Sequence, residues 1–452
     1  MTDKKKMGIF LSILVTCIVG AMLSTALNTA LPQMMADFGV DASIGQWLAS
    51  IYSLVMGIMV LATPFLIRRV PTKRLYLASV LIFAVGVACS ALTSSFVIMM
   101  VGRVLQAASN GIVTALGQVV ILTIFPPEKR GQMMGIYGLA IGVSPVVAPT
   151  VAGLIVDAYG WRMIFYIVLA LTVVMVVMAV VTFEDVMENA VEKFDLLSFA
   201  LCALAFSGIL TGIGNISTYS FFSLPVCAPF VPGVVAGVFF VLRQLKMETP
   251  FLELRVLKVK NYRTAVVASM LLYMSVQAGA LLTPLYIQSL CGYSAAMSGL
   301  ITMPGSLVMA LLSPFTGKWY DKMGMKMLFY MGAFGLVFSN LGMVFVGVSG
   351  SMVWVAVLNV LRNVSVGCLM MPLVTWGMSG LGEEHTSHGT ALLTSLRTMA
   401  GAFGQTICVA VMTVVGAAAG EMRGMNAAFL ALTLVGVAEL LLAWTAFRKK
   451  AA

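Results

Sequence analysis

The sequence predicts an all-α, polytopic membrane protein with fourteen spans. Three observations carry that expectation. Of 452 residues, 60% are hydrophobic and only 10% are charged, whereas soluble domains are about a quarter charged. The mean hydropathy of +1.02 leaves more apolar surface than a soluble core can cover, so lipid is the solvent for most of it. The apolar residues run continuously without alternating, which excludes a membrane β-barrel. The same composition excludes disordered chains and nucleic-acid-binding modules.

A helix needs about 20 apolar residues to cross the hydrocarbon layer. Along the chain such runs lie at 7–29, 46–67, 74–93, 96–124, 131–156, 160–182 and 195–214, then at 219–242, 261–287, 295–317, 326–346, 351–378, 390–416 and 425–447. The basic start MTDKKKMGIF resembles a signal peptide, but no small-residue cleavage site follows, so the first run is read as span 1. An even number of spans puts both termini on one side. On that side fall 22 of the 27 Lys and Arg residues, and only Arg162 and Arg423 fall on the other. The bias predicts cytoplasmic termini in a cell membrane, and it accounts for the net charge of +10 without an anionic partner. Tryptophans 47, 161 and 354 at outer ends and 319, 376 and 444 at inner ends form the expected interfacial belts.

Two longer inner segments, acidic 183–194 and basic, amphipathic 243–260, bracket spans 7 and 8. The chain therefore divides into a six-span bundle over 1–183, an inserted helix pair with its linkers over 184–260, and a second six-span bundle over 261–452. Internal duplication supports this division. Arg103 and Arg362 both lie on the fourth span of their group, and the segments after spans 2 and 10, RRVPTKR and KWYDKMGMK, are both short and basic.

Motifs follow in chain order. Span 1 carries TALNTALP, with Thr25 and Asn28. Span 2 opens with QWLASIY, and span 4 has Arg103 and Gln106 in RVLQ. Span 5 carries SPVVAPTVAG, with Pro145, Pro149 and Gly153, and GWRMIF begins span 6. The segment after span 10 has Gly317, Asp321, Lys322, Gly324 and Lys326. Together these residues resemble the fourteen-span drug:proton antiporters of the major facilitator superfamily, the multidrug efflux pumps. The resemblance covers nearly the whole chain. It implies a major facilitator fold, alternating access and proton-coupled export of hydrophobic or amphipathic molecules by a monomer. Arg103, Gln106, Asn28 and Thr25 would then serve substrate or proton, with Asp321, Gly317, Gly324, Lys326, Pro145, Pro149 and Gly153 gating. The chain departs from the family at Leu23, which stands where the first helix normally has Asp, at Arg68 and Pro71 in the first loop motif, and at Ala148 and Ala152 in span 5.

Ionisable groups inside spans are costly and mark function or helix stapling. Arg103, Arg362 and Arg397 are the three cations, and Arg103 is expected to line the central cavity. Asn110, Gln118, Asn359, Asn363 and Gln405 are candidate neighbours. Glu439 is the one carboxyl well inside an apolar run, read first as paired or snorkelling and second as a proton carrier. Asp321 is expected just before span 11, bonding across the bundles to latch the outward-facing state. His385 and His388 in EEHTSH read as a solvated loop. The 34 methionines are gap fillers that also suit varied apolar ligands. Six of seven cysteines sit in apolar runs as packing residues. With no Walker loop, zinc motif or nucleophile constellation, neither an enzyme nor a cofactor is expected. Three buried cations and one buried acid also admit an organic-anion carrier, and a non-transporting receptor on a transporter fold is a third reading.

Overall fold

The computed structural model describes residues 3–186, 195–247, 250, 252–347, 350–381 and 383–448. Within helices, the side chains of 127, 128, 131, 135, 139, 141–143, 145, 146, 313, 314, 383–388 and 391 are outside that description. The chain is almost entirely helical. The N-terminal group comprises α1 (Asp3–Phe38), α2 (Ala42–Gly45), α3 (Trp47–Arg69), α4 (Thr72–Leu92), α5 (Phe96–Ile124), α6 (Pro127–Tyr159) and α7 (Arg162–Thr182). The inserted pair is α8 (Leu196–Asn215) and α9 (Leu224–Lys246). The C-terminal group comprises α10 (Lys260–Leu285), α11 (Ala295–Val344), α12 (Met352–Met378), α13 (Glu383–Ala419) and α14 (Glu421–Phe447).

Among the described residues, thirteen segments are long and apolar enough to cross a membrane, two of them within α11. The 33-residue α6, whose described apolar part is Val147–Tyr159, makes the fourteenth. Helix is forced here, because lipid offers backbone amides no partners and only local pairing satisfies them. Long aliphatic side chains such as Val173, Val177, Val181, Leu311 and Val353 lie exposed on the periphery. That surface is what a lipid-facing bundle presents.

The two most extensive helix contacts between the groups are α3 against α13 and α6 against the first part of α11, with α1 also meeting α10. The inserted pair packs on the first of these. Gly214 of α8 lies under Trp47 of α3, and Phe206 of α8 meets Phe403 of α13 with ring centroids 6.3 Å apart. Leu54, Ile58, Leu210, Leu393 and Met399 form one apolar cluster across the three helices.

The linkers are tied down at the end carrying the termini. Lys5 pairs with Glu184, and Asp185 accepts from the Lys73 backbone at 2.9 Å. Asp195 caps α8 through the Ser198 amide at 3.1 Å and pairs with Arg243 at 3.0 Å. Burial pushes its carboxyl up, but the bonds from Ser198 and Arg243 outweigh this and hold it below the ordinary value. The basic segment before α10 forms a 3₁₀ turn, Leu254–Lys258.

Three segments differ from the sequence reading. The stretch after span 10 is helix, not loop: α11 continues through Gly317 and Asp321, and Gly324 alone, at φ 72° and ψ 169°, turns the chain back. Glycine takes that left-handed backbone without Cβ strain. Asp321 therefore ends one helix and does not cap the next. The EEHTSH segment lies in the first turns of α13, where the sequence reading placed a loop. The side chains of His385 and His388 fall outside the described residues. Within the 37–43 loop, α2 is capped by Asp41, which accepts from the Ile44 amide at 3.0 Å.

Candidate transport pathway

On α5, Arg103, Gln106 and Asn110 recur at helical spacing and share one face. Arg103 is fully buried. Its Nε donates to the Leu48 carbonyl at 3.0 Å and its Nη1 to Gln106 Oε1 at 2.8 Å. The guanidinium lies 4.1 Å from the ring centre of Tyr52, a favourable stacking for a delocalised cation. Gln106 in turn donates to the Gly86 carbonyl at 2.9 Å and to Ser90 at 2.8 Å. Asn110 donates to the Tyr52 hydroxyl at 2.8 Å. The network staples α3, α4 and α5 together. Arg103 thus sits inside the N-terminal group, sealed by Tyr52, where a cavity wall was expected. Only its Nη2 lacks a partner among the described residues. Of the α1 candidates, Thr25 bonds its own helix at Ala21, 3.0 Å away, while Asn28 is buried with Oδ1 unpartnered.

The corresponding arginine of the C-terminal group is placed differently. Among the described residues Arg362 of α12 makes one hydrogen bond, Nη1 to Thr283 of α10 at 3.3 Å. Its guanidinium rests over Gly279, where any Cβ would collide with Nη1. Arg397 of α13 lies 4.7 Å from the ring centre of Tyr273, with Nε buried and unpartnered. Glu439 of α14 is fully buried and neither oxygen has a partner among the described residues. It neither pairs nor snorkels: its carboxyl is enclosed on a helix that packs against α10, α11 and α13.

Between the groups, the polar contacts gather toward the end opposite the termini. Asp157, at the end of α6, accepts from the first two amides of α11, Ala295 at 3.0 Å and Ala296 at 2.9 Å. A carboxylate at a helix N-terminus is held by both amides and dipole. Beside it the backbones touch. A Cβ on Gly153 would collide with the Ala295 carbonyl, and one on Gly299 would lie 2.7 Å from the Pro149 carbonyl. Thr150 adds a bond to the Gly299 carbonyl at 3.1 Å. Gln288 reaches the Thr29 carbonyl at 2.9 Å, Gln277 reaches Ser53 at 3.2 Å, and Thr406 bonds Ser50 at 3.1 Å. The sequence reading missed Ser50, Ser53, Asp157, Gln277, Gln288 and Thr406. Of these, only Asp157, an acid closing an apolar run, carried a visible signal.

Pro149 and Gly153 therefore lie in this seam, whereas the Pro145 side chain is outside the described residues. At the other end, Gly317, Asp321, Gly324 and Lys326 are all exposed, and Asp321 has no partner among the described residues.

A family model described as Major Facilitator Superfamily matches residues 13–405. The lincomycin resistance protein LmrB of Bacillus subtilis is 33% identical over 90% of this chain and 86% of its own length. The multidrug export protein EmrB of Escherichia coli is 27% identical over 86% of this chain and 77% of its own. A crystal structure of a peptide transporter with sulfate superposes with a TM-score of 0.72 at 14% identity, covering 97% and 94% of the two chains. That likeness concerns the fold.

Proposed function

This chain belongs to the Major Facilitator Superfamily, and on that premise we propose that it exports hydrophobic or amphipathic small molecules in exchange for protons, by alternating access. It is a multi-pass membrane transport protein whose relatives include drug efflux pumps. The observation that carries the mechanism is the one-sided seam. Asp157, Gly153 and Gly299 close the groups together at one end, while the Asp321 motif at the other stands unengaged.

With cytoplasmic termini in the plasma membrane, as the charge bias supports, the closed end is the outer one. This is then the inward-facing state, in which an exporter loads from the cytoplasm. Rocking of the bundles about residues 1–183 and 261–452 would release Asp157 and bring Asp321 into a latch at the inner end. A monomer suffices, since both groups belong to one chain. Leu23 stands where the resemblance implies a first-helix acid, so proton exchange falls to Glu439, a fully buried carboxyl without a partner among the described residues.

Proteoliposomes with an imposed pH gradient test this reading, using lincomycin and a lipophilic cation against a matched organic anion. We expect gradient-driven export of the neutral or cationic compounds, abolished by Asp157→Ala and by Glu439→Gln. Preferential movement of the anion would instead favour the organic-anion carrier, a reading supported by the Arg362 and Arg397 donors that no carboxylate meets.

A further inference from the structure

The C-terminal group holds a second polar site, distinct from the seam. Thr283, Ser339, Asn340, Leu358, Asn359 and Arg362 are among the residues that line a small pocket between α10, α11 and α12. It leaves about 10 Å³ for the centre of a water-sized sphere, room for a single water or one monatomic ion. Asn340 is only 1% exposed, and neither its Nδ2 nor its Oδ1 has a partner. The oxygen of Asn359 already accepts from Asn363 at 2.8 Å, so its amide nitrogen is the group left to donate. Arg362 spends Nη1 on Thr283 and keeps Nε and Nη2 without partners among the described residues. No acidic side chain lines the pocket.

We propose that this pocket binds one small monovalent anion of chloride size as the resident counter-ion of Arg362. A water would fill the space and leave the charge of the half-buried Arg362 without a counter-charge inside a helix bundle, where unpaired charges are costly. An anion neutralises it and accepts from Arg362 and from the amides of Asn340 and Asn359. Gly279 leaves the room in which the guanidinium lies. Leu358 also lines a larger groove of about 310 Å³ at the end opposite the termini, with Phe345 and Trp354, so its side chain stands between the pocket and that surface. The site does not depend on what the protein transports.

The test is thermal unfolding of the full-length protein in detergent, in chloride against gluconate at equal ionic strength. At chloride a hundredfold above Kd, Tm should rise by about 3–5 °C. Arg362→Gln and Asn340→Leu should each remove the rise. For variants that fail to fold, ³⁵Cl line broadening on the wild-type protein, reversed by bromide, reads the same site. No chloride response in either measurement means that the pocket holds only water, and overturns the proposal. A rise that survives both substitutions, or that acetate produces and chloride does not, overturns it equally.

Discussion

Arg103 and Arg362 occupy the same place in the two groups, the fourth span, yet the protein uses them in opposite ways. Arg103 is largely spent: Nε and Nη1 are taken by Leu48 and Gln106 and its face by Tyr52, which leaves Nη2 alone. Arg362 is held by one long bond to Thr283 and keeps donors free beside the unpartnered Asn340. At matching places in the two groups, one arginine is thus a staple and the other, only half-buried, keeps donors to spare. The residues around each arginine make the difference. Gln106 sits one turn from Arg103 and accepts from it. At the matching spacing from Arg362, Ser365 donates to its own helix at Leu361, 2.7 Å away.

The largest separation should come from removing each guanidinium. Arg103→Ala strips the partners of Leu48 and Gln106 and opens space beneath Tyr52, and should destabilise the protein by about 3 kcal/mol or more. Arg362→Gln should cost about 1 kcal/mol while altering transport. Reversible unfolding of both variants in mixed micelles measures the gap, and equal losses would break the contrast.

A finer comparison uses glycines under each network. Gly279→Ala forces the Arg362 guanidinium off α10, whereas Gly20→Ala sets a Cβ 2.5 Å from Asn110 Oδ1 and pushes Asn110 away from Tyr52. We expect Gly279→Ala to change transport at near-native stability, and Gly20→Ala to lower stability by about 1–3 kcal/mol through overpacking. The same unfolding and flux measurements decide it.

The smallest effect serves as a control outside both networks. The Asp195 carboxyl is held below its ordinary value, so its contribution to stability is complete above the unfolded-state pKa and is lost as pH falls through the lower folded-state value. Acidification should therefore loosen the α8–α9 pair, and Asp195→Asn should remove that part of the acid sensitivity. Hydrogen exchange at the α8 N-terminus reads this directly.

The spans were legible because hydropathy and cationic loops are local signals, and lipid enforces helix wherever they occur. Gly324 shows where that legibility stops: a basic, polar stretch reads as a loop, but one glycine makes the whole turn and the flanking residues remain helical. Arg103 was visible as a costly residue, though not its sealed setting, since Leu48 and Tyr52 lie about fifty residues away in the chain. The seam was nearly invisible. Ser50, Ser53 and Thr406 are ordinary small residues in apolar helices, and only the packing of α3 on α13 makes them partners. Asn340 gave no signal either, because what marks it is the lack of a partner.

The inserted pair has a consequence for traffic from the bilayer. Because α8 covers the flank where α3 meets α13, acyl chains cannot reach the interface there. The flank formed by α6 and α11 carries no such cover from the pair, and its glycines bring bare backbone to the crossing. Around its waist the molecule has a shielded back and an unshielded front, so a lipophilic guest dissolved in one leaflet would meet only one side door.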